Sequence, residues 1–206
     1  MNGNKPIPDI IVGRLPIYLL ALQHMQLEGR QVTSSQELGE RLGISSAQIR
    51  KDLSQFGEFG KQGTGYNIAY LADQLRKILK LDQVWDVVVV GAGDIGHAVA
   101  GYGGFADRGF RVVMIFDNDP AKIGKTVHNF IVQDYNQIDE KIKEMGVKVA
   151  MIATPAQAAQ EVGERLVQAG VKAIVNYAPV TLNLPDGIHV EYIDPLVHLQ
   201  RMAYYL

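Results

Sequence analysis

The sequence predicts an α/β chain in two parts: a helical N-terminal part closed by a glycine-rich hairpin, then a parallel sheet whose strands alternate with helices. Three observations predict it. Up to about Leu81, apolar residues recur at three- and four-residue spacing. Beyond Leu81-Asp82-Gln83, short apolar runs alternate with helical segments. The first of those runs, Trp85-Asp86-Val87-Val88-Val89-Val90, feeds a turn with three glycines, Gly91-Ala92-Gly93-Asp94-Ile95-Gly96.

The first helix is expected from after Pro8 to about Glu28, with Leu15, Leu19, Leu22 and Met25 on its apolar face and Gly29 as its stop. A second helix starts after Ser34, which caps it while Glu37 closes a capping box; Leu38 and Leu42 line it and Gly43 ends it. A third opens on the capping box Ser45-Ser46-Ala47-Gln48 and runs through Ile49 and Leu53 to about Phe56. Two short helices joined by a tight glycine turn are the helix-turn-helix pattern. From Phe56 to Ile68, four glycines with interleaved aromatics read as a tight hairpin, the wing of a winged helix-turn-helix. Leu71–Leu81 reads as an amphipathic connector helix.

In the second part, Arg111-Val112-Val113-Met114-Ile115-Phe116 reads as a strand ending in Asp117, and Val147–Ala153 and Ala173–Asn176 as further strands. Helical segments are expected at Gln137–Glu144 and Gln157–Ala169, and a last helix over 194–206, with apolar Leu196, Val197, Leu199 and Met202. The whole is a Rossmann-like parallel sheet.

Composition narrows the chemistry. The 206 residues contain no cysteine, which excludes disulfides, iron–sulfur clusters, cysteine-held zinc and thiol-based redox sensing, and no metal site is read. The net charge of −2 is unevenly spread: residues 1–80 carry ten basic and seven acidic side chains, residues 81–206 ten basic and fifteen acidic. A mildly basic first part suits contact with nucleic-acid phosphates, although ordinary scatter gives the same imbalance. No segment approaches the roughly 20 apolar residues of a membrane helix, and no apolar run follows Met1–Pro6, so no membrane partner and a cytoplasmic location are expected.

The glycine turn carries the clearest chemistry. Gly91 permits the tight turn, Gly93 lets a pyrophosphate approach the backbone, and Gly96 lets the helix pack on the strand; the phosphates sit on the helix N-terminus, where Ala92, Asp94 and Ile95 belong to the same loop. Asp117, about 20 residues on at the next strand's end, is placed to accept hydrogen bonds from an adenosine ribose. Its charge would repel a 2′-phosphate, so NAD⁺ and NADH are favoured over the phosphorylated form. A CoA- or nucleotide-binding relative has a similar loop. Ala153-Thr154-Pro155 and Asn176-Tyr177-Ala178-Pro179 end two later strands and are candidates for the nicotinamide end; plain turn chemistry explains them equally. An apolar lining of Ala153, Pro155, Ala178 and Pro179 would penalise the cationic NAD⁺ ring over neutral NADH. A dehydrogenase needs a proton donor or acceptor beside the nicotinamide. His97 starts a helix and His24 belongs to the first one, while His128, His189 and His198 have no evident partner, so no catalytic residue is assigned.

On the third helix, Ser45, Ser46, Gln48, Arg50, Lys51 and Ser54 are candidates for DNA contact; Gln reads adenine, and Arg and Lys read guanine or hold phosphates. Lys61 and Gln62 at the wing tip suit backbone or minor-groove contact. A helical hairpin used for protein contact remains the alternative.

The string Gln48-Ile49-Arg50-Lys51-Asp52-Leu53-Ser54-Gln55-Phe56-Gly57, with Gly60, Gly63, Gly65 and Tyr66, resembles the redox-sensing repressor family Rex. So do Arg14-Leu15-Pro16-Ile17-Tyr18, Tyr102-Gly103-Gly104-Phe105, Phe116-Asp117-Asn118-Asp119 with Lys122-Ile123-Gly124, and Asn176–Pro179. The resemblance implies a winged-helix DNA-binding domain over 1–82, a Rossmann NAD(H)-binding domain over 83–193 with Lys122 and Ile123 at its ligand, and a dimerisation helix over 194–206 exchanged between subunits. It implies a homodimer that binds inverted-repeat operator DNA, double-stranded, when NADH is scarce and is released by NADH. It also implies switch roles for Arg14, Tyr102 and Asp194, the last followed here by Pro195 where many relatives carry an aromatic or small residue. A small NAD-dependent oxidoreductase with an N-terminal interaction domain is the competing reading.

Overall fold

The computed structural model describes residues 7–61 and 64–206; of Lys61 only the backbone is described. The chain divides into two compact units, one ending at Gln83 and one beginning at Val84.

The first unit contains α1 (Asp9–Val12), α2 (Leu15–Leu27), β1 (Val32–Thr33), α3 (Ser35–Leu42), α4 (Ser46–Ser54), β2 (Gly60–Lys61), β3 (Gly65–Asn67) and α5 (Ile68–Ile78). The single first helix expected from the periodicity is broken between α1 and α2. Pro16 has no N–H to give the carbonyl of Val12, and its ring would clash there. The chain turns at Gly13 and Arg14 instead, and Pro16 falls in the first turn of α2, where proline is tolerated. The N-caps are as expected: Ser34 Oγ accepts from Glu37 N at 3.1 Å, and Ser45 Oγ from Gln48 N at 3.2 Å. The reciprocal halves of the two capping boxes are absent. The Glu37 carboxylate accepts from Thr33 Oγ1 at 3.0 Å and pairs with Arg30, and the Gln48 amide turns to Asp52.

The hairpin strands β2 and β3 are antiparallel, and β1 adds to β3. α5 starts three residues earlier than its apolar pattern suggests, because Asn67 caps it by accepting from Tyr70 N at 2.9 Å. It is more than a connector: Ile68, Leu71, Ala72 and Leu75 are buried with Leu15, Tyr18, Leu22, Met25, Leu38, Ile49 and Leu53 in one core. Residues 9–27 together do reach the length and apolar content of a membrane span, against the sequence expectation. Leu15, Tyr18, Leu19, Leu22 and Met25 are spent on that core, which is what a core helix of this composition does.

The second unit runs β4 (Trp85–Val90), α6 (Asp94–Gly101), a 3-10 turn at Gly103–Arg108, β5 (Phe110–Asp117), β6 (Thr126–Val127), β7 (Phe130–Asp134), a short 3-10 turn, α7 (Ile138–Met145), β8 (Val149–Ile152), α8 (Ala156–Ala169), β9 (Ala173–Asn176), β10 (His189–Tyr192) and α9 (Pro195–Ala203). The sheet order is β10-β9-β8-β4-β5-β7-β6, parallel throughout except for the β6–β7 pair. Counted without β6, the strands stand in the order 3-2-1-4-5-6, the doubly wound order of dinucleotide-binding sheets. The order reverses between β4 and β8, which pair from Val87–Val149 to Val90–Ile152.

Strand alternation fills both faces of this sheet. Val88, Val90, Ala150, Ile152 and Ile174 pack with Ile138 and Ile142 of α7 and Val162 and Leu166 of α8. Val87, Val89, Ile115 and Met151 face the other way, toward Val99 of α6. The terminal helix α9 buries nothing: Leu196, Val197, Leu199 and Met202 are each more than half exposed. Pro195 occupies its first position, and Asp194 Oδ1 caps it by accepting from Leu196 N at 2.9 Å.

Candidate functional site

A cleft of about 650 Å³ opens over the carboxyl ends of β4, β5 and β8, at the reversal of strand order, where ligands of open α/β sheets bind. The turn after β4 forms its floor. Gly91 has φ +106°, and a Cβ there would lie 2.4 Å from the carbonyl oxygen of Ala153, so no other residue fits without moving β8. A Cβ on Gly96 would come within 1.9 Å of the Gly91 carbonyl, which fixes how closely α6 enters the turn. At Gly93 the added atom would meet nothing within 4 Å, so the space above that backbone is open. Gly93 also caps α6 without a side chain, which leaves the helix N-terminus for an anion.

Asp117 closes the side of the cleft at the end of β5. It is 6 % exposed and tightly held. Oδ2 accepts from Ala92 N at 2.8 Å and Oδ1 from Asp119 N at 2.9 Å, while Lys122 Nζ lies 3.1 Å from Oδ2. Burial raises its pKa, but the N–H bonds from Asp119 and Ala92 and the Lys122 charge outweigh that and hold the carboxyl below its ordinary value. The carboxylate therefore braces the glycine turn as well as facing the cleft.

Of the residues singled out in the sequence, Gly91, Gly93, Asp94, Ile95, Asp117, Lys122, Ala153, Thr154 and Pro155 line this cleft. Ala92, Gly96 and Ile123 are not among its lining residues. Asn176, Tyr177, Ala178 and Pro179 do not line it. Asn176 ends β9, one strand further along, beside Ile152. Its side chain is consumed by its own turn: Nδ2 donates to the carbonyls of Ala178 at 3.2 Å and Val180 at 2.9 Å, and Oδ1 accepts from Ala178 N at 3.0 Å. Ala178 is buried in the core, so the four-residue apolar lining read from the sequence is reduced here to Ala153 and Pro155. Tyr135, Ala158, Glu161 and Val162 line the cleft and were not foreseen. Tyr135 follows β7, a strand too short and mixed in polarity to be read. Among the described residues, two buried side-chain oxygens lack a hydrogen-bond partner, Tyr135 Oη and Thr154 Oγ1, and both residues belong to this cleft. Orphaned hydroxyls at an open backbone cradle fit a polar, phosphate-bearing ligand.

In the first unit, α3 and α4 form the helix-turn-helix with Gly43 in the left-handed region between them. Ser45, Arg50, Lys51 and Ser54 are exposed on α4, and Ser46 and Gln48 half-exposed. Arg50 Nη1 donates to Ser35 Oγ at 2.9 Å, and Ser54 Oγ to the Lys51 carbonyl at 2.8 Å. Gln62 lies outside the described residues. The inward face of α4 carries Asp52, fully buried and not singled out in the sequence. Arg14 Nε and Nη2 reach its two oxygens at 2.6 and 2.8 Å, Tyr18 Oη donates to it at 2.6 Å, and Gln48 Nε2 at 2.6 Å. Burial raises the Asp52 pKa and these donors outweigh it, so the carboxylate is ionised and its pKa lowered; Tyr18 is pushed up by its burial and by Asp52. In the second unit, the Tyr102 ring stands edge-on to Phe105 at 5.1 Å and is half exposed.

Comparison with known proteins covers both units. A family model described as "CoA binding domain" matches residues 82–180, and one described as "Putative DNA-binding protein N-terminus" matches residues 6–54. The Redox-sensing transcriptional repressor Rex of Roseiflexus sp. (strain RS-1) is 50 % identical over 206 residues, all of this chain and 94 % of that one. The crystal structure of RSP in complex with β-NAD⁺ and operator DNA superposes with a TM-score of 0.92 at 34 % identity, covering 98 % of this chain and 93 % of that one. RSP in complex with β-NADH gives 0.89 at 32 % identity, over 98 % and 94 %.

Proposed function

The chain belongs to the Rex family of redox-sensing transcriptional repressors, and we propose from that premise that it binds inverted-repeat operator DNA when NADH is scarce and leaves it when NADH binds. One observation carries the reading: a single chain holds both a helix-turn-helix with an exposed basic α4 and a cleft built for a dinucleotide.

In the cleft, Gly93 gives the pyrophosphate its approach, and the backbone of Ala92, Asp94 and Ile95 offers the α6 N-terminus. Gly91 and Gly96 keep that turn closed. Asp117 accepts from the adenosine ribose with lone pairs left over from Ala92 and Asp119, and its charge selects against a 2′-phosphate. Lys122 and Ile123 support it from the following turn. Thr154 and Tyr135 offer their orphaned hydroxyls, and Ala153 and Pro155 form the apolar wall that favours a neutral nicotinamide over a cationic one. The bound nucleotide supplies a redox-dependent charge on that ring. The Asn176–Pro179 loop serves the site indirectly, by shaping the end of β9 beside Ile152.

On the DNA side, Gln48 and Arg50 meet base edges. Ser45, Ser46, Lys51 and Ser54 meet phosphates, and Lys61 and Gln62 the flanking backbone. The domains are those of the family: 1–82 for DNA, 83–193 for NAD(H), 194–206 for dimerisation. The protein works as a homodimer in which the apolar face of α9 is covered by the second subunit, with Arg14, Tyr102 and Asp194 relaying ligand state. Half-sites are then spaced by about 10–10.5 bp or a multiple. A near-complete switch requires NADH to prefer the released state by about 5.5 kcal/mol. The protein turns over no substrate: Lys122 is tied to Asp117, and Tyr135 stands with it on the β5–β7 side of the cleft, the adenosine side. A repressor acts where its operator is, which puts its work in the cytoplasm.

The test is fluorescence anisotropy of labelled inverted-repeat DNA titrated with protein, then with NADH, NAD⁺ or CoA. Release by NADH and far less by NAD⁺ or CoA is expected. Equal release by NAD⁺ and NADH would overturn the redox reading, and NADH oxidation with added acceptors would favour the oxidoreductase.

A further inference from the structure

The chemistry that points DNA-contacting side chains outward is buried beneath them. Asp52 is the one acidic residue of α4, and it faces inward, fully buried, with its two oxygens meeting four donors from three residues. Two of those residues, Arg14 and Tyr18, belong to the α2 region, one at its N-cap and one in its first turn. The third is Gln48, one helical turn earlier on α4 itself, half exposed.

A carboxylate can only accept hydrogen bonds. Gln48 must therefore present its NH₂ to Asp52, and the amide cannot flip to present its oxygen. One N–H is spent at 2.6 Å, and one N–H and the carbonyl oxygen remain. That donor and acceptor side by side are what adenine N7 and N6 take from a glutamine in the major groove. A free glutamine would lose side-chain entropy on ordering and would sample the flipped amide, which offers its polar pair in reverse. The same carboxylate clamps α4 to α2 through a bidentate Arg14 pair, which fixes direction as well as distance.

We infer that Asp52 is the specificity-setting positioning residue of this repressor: it orients Gln48 for one base pair of each half-site and registers α4 on α2 through Arg14 and Tyr18. This rests on the operator-binding reading above and adds to it a residue that touches no DNA.

The experiment selects duplexes from a randomised inverted-repeat library with full-length wild-type protein, then repeats the selection with Asp52→Asn, Gln48→Ala and the double variant. Thermal melting and NADH titration run on each. Asp52→Asn is expected to keep NADH affinity, bind the wild-type duplex about tenfold more weakly, and relax base preference at one position per half-site, the size of one lost base contact. Gln48→Ala should relax the same position, and adding Asp52→Asn to it should relax nothing further. If Asp52→Asn proves unstable, Tyr18→Phe and Gln48→Glu keep the test: the first spares Gln48 and should leave base preference intact, while the second sets two carboxylates together and should abolish it. Unchanged base preference in a folded Asp52→Asn overturns the inference while operator binding stands. Failure of the wild type to select any duplex overturns the operator-binding reading and the inference with it.

Discussion

Asp117 Oδ2 and the backbone N–H of Ala92 lie 2.8 Å apart, so the carboxylate at the end of β5 is a structural member of the glycine turn that follows β4. Replacing it with alanine leaves the buried N–H of Ala92 without its acceptor, at about 1–3 kcal/mol, and the half-buried N–H of Asp119 at a smaller cost because water can reach it. Asp117→Ala is therefore expected to lower the melting temperature and weaken NADH binding together. DNA binding without ligand should persist below the melting range. A variant that lost NADH affinity with no thermal cost would show that the carboxylate serves the ligand alone.

Tyr135→Phe isolates the opposite case. Its hydroxyl makes no hydrogen bond in the free protein and the Arg165 guanidinium packs over the ring rather than on the oxygen, so Tyr135→Phe should leave the melting temperature near that of the wild type. NADH affinity should fall by about three- to tenfold, the worth of one hydrogen bond of about 1 kcal/mol. Fluorescence titration reads this, and full affinity would remove the phenol from the site.

Gly96→Ala tests the turn itself. The added carbon would stand 1.9 Å from the Gly91 carbonyl, so backbone must move. A loss of at least about 3 kcal/mol in urea unfolding of the second unit is expected, at the severe end for overpacking. An unfolding midpoint like the wild type's would mean that α6 can slide without cost.

Acid should find the two buried carboxylates. Asp52 and Asp117 both have pKa values held below the ordinary value of 3.8. Each contributes stability that is fully present above the unfolded-state pKa and is lost as pH falls through the lowered folded one. Melting temperature should therefore owe nothing to these groups' titration between about pH 5 and pH 8 and should drop below about pH 4. In Asp52→Asn part of the acid drop should be missing. A decline beginning well above about pH 5 would mean that these two carboxylates do not govern the acid response.

Lys51→Ala and Arg50→Ala separate phosphate from base contact. A lost phosphate contact lowers the salt slope of DNA binding by about 0.9 and weakens all sequences alike. A lost base contact relaxes specificity. Lys51 should behave in the first way and Arg50 in the second, and the reverse assignment would mean that α4 sits in the groove at another rotation.

The residues that form the glycine turn, its strand and Asp117 were legible in the sequence because each is specified locally, by φ, by close approach or by strand-end position. The N-caps at Ser34 and Ser45 were legible for the same reason. What was hidden depends on partners far along the chain. β7 and β10 are short, and they exist because β5 and β9 offer edges to pair with. Asp52 reads as an ordinary surface acid of a helix until Arg14, 38 residues away, is seen beside it. The break at Pro16 is masked in the sequence because the apolar spacing continues across it.

The bare apolar face of α9 has a consequence in mass action. A helix with no interior of its own is stabilised only by whatever binds it, and if that is a second copy, stability rises with total protein. The amount of repressor then becomes a variable of the sensor alongside the nucleotide: when the chain is scarce the assembled form is scarce too, and the NADH level at half-release depends on how strongly the gene for this protein is itself expressed.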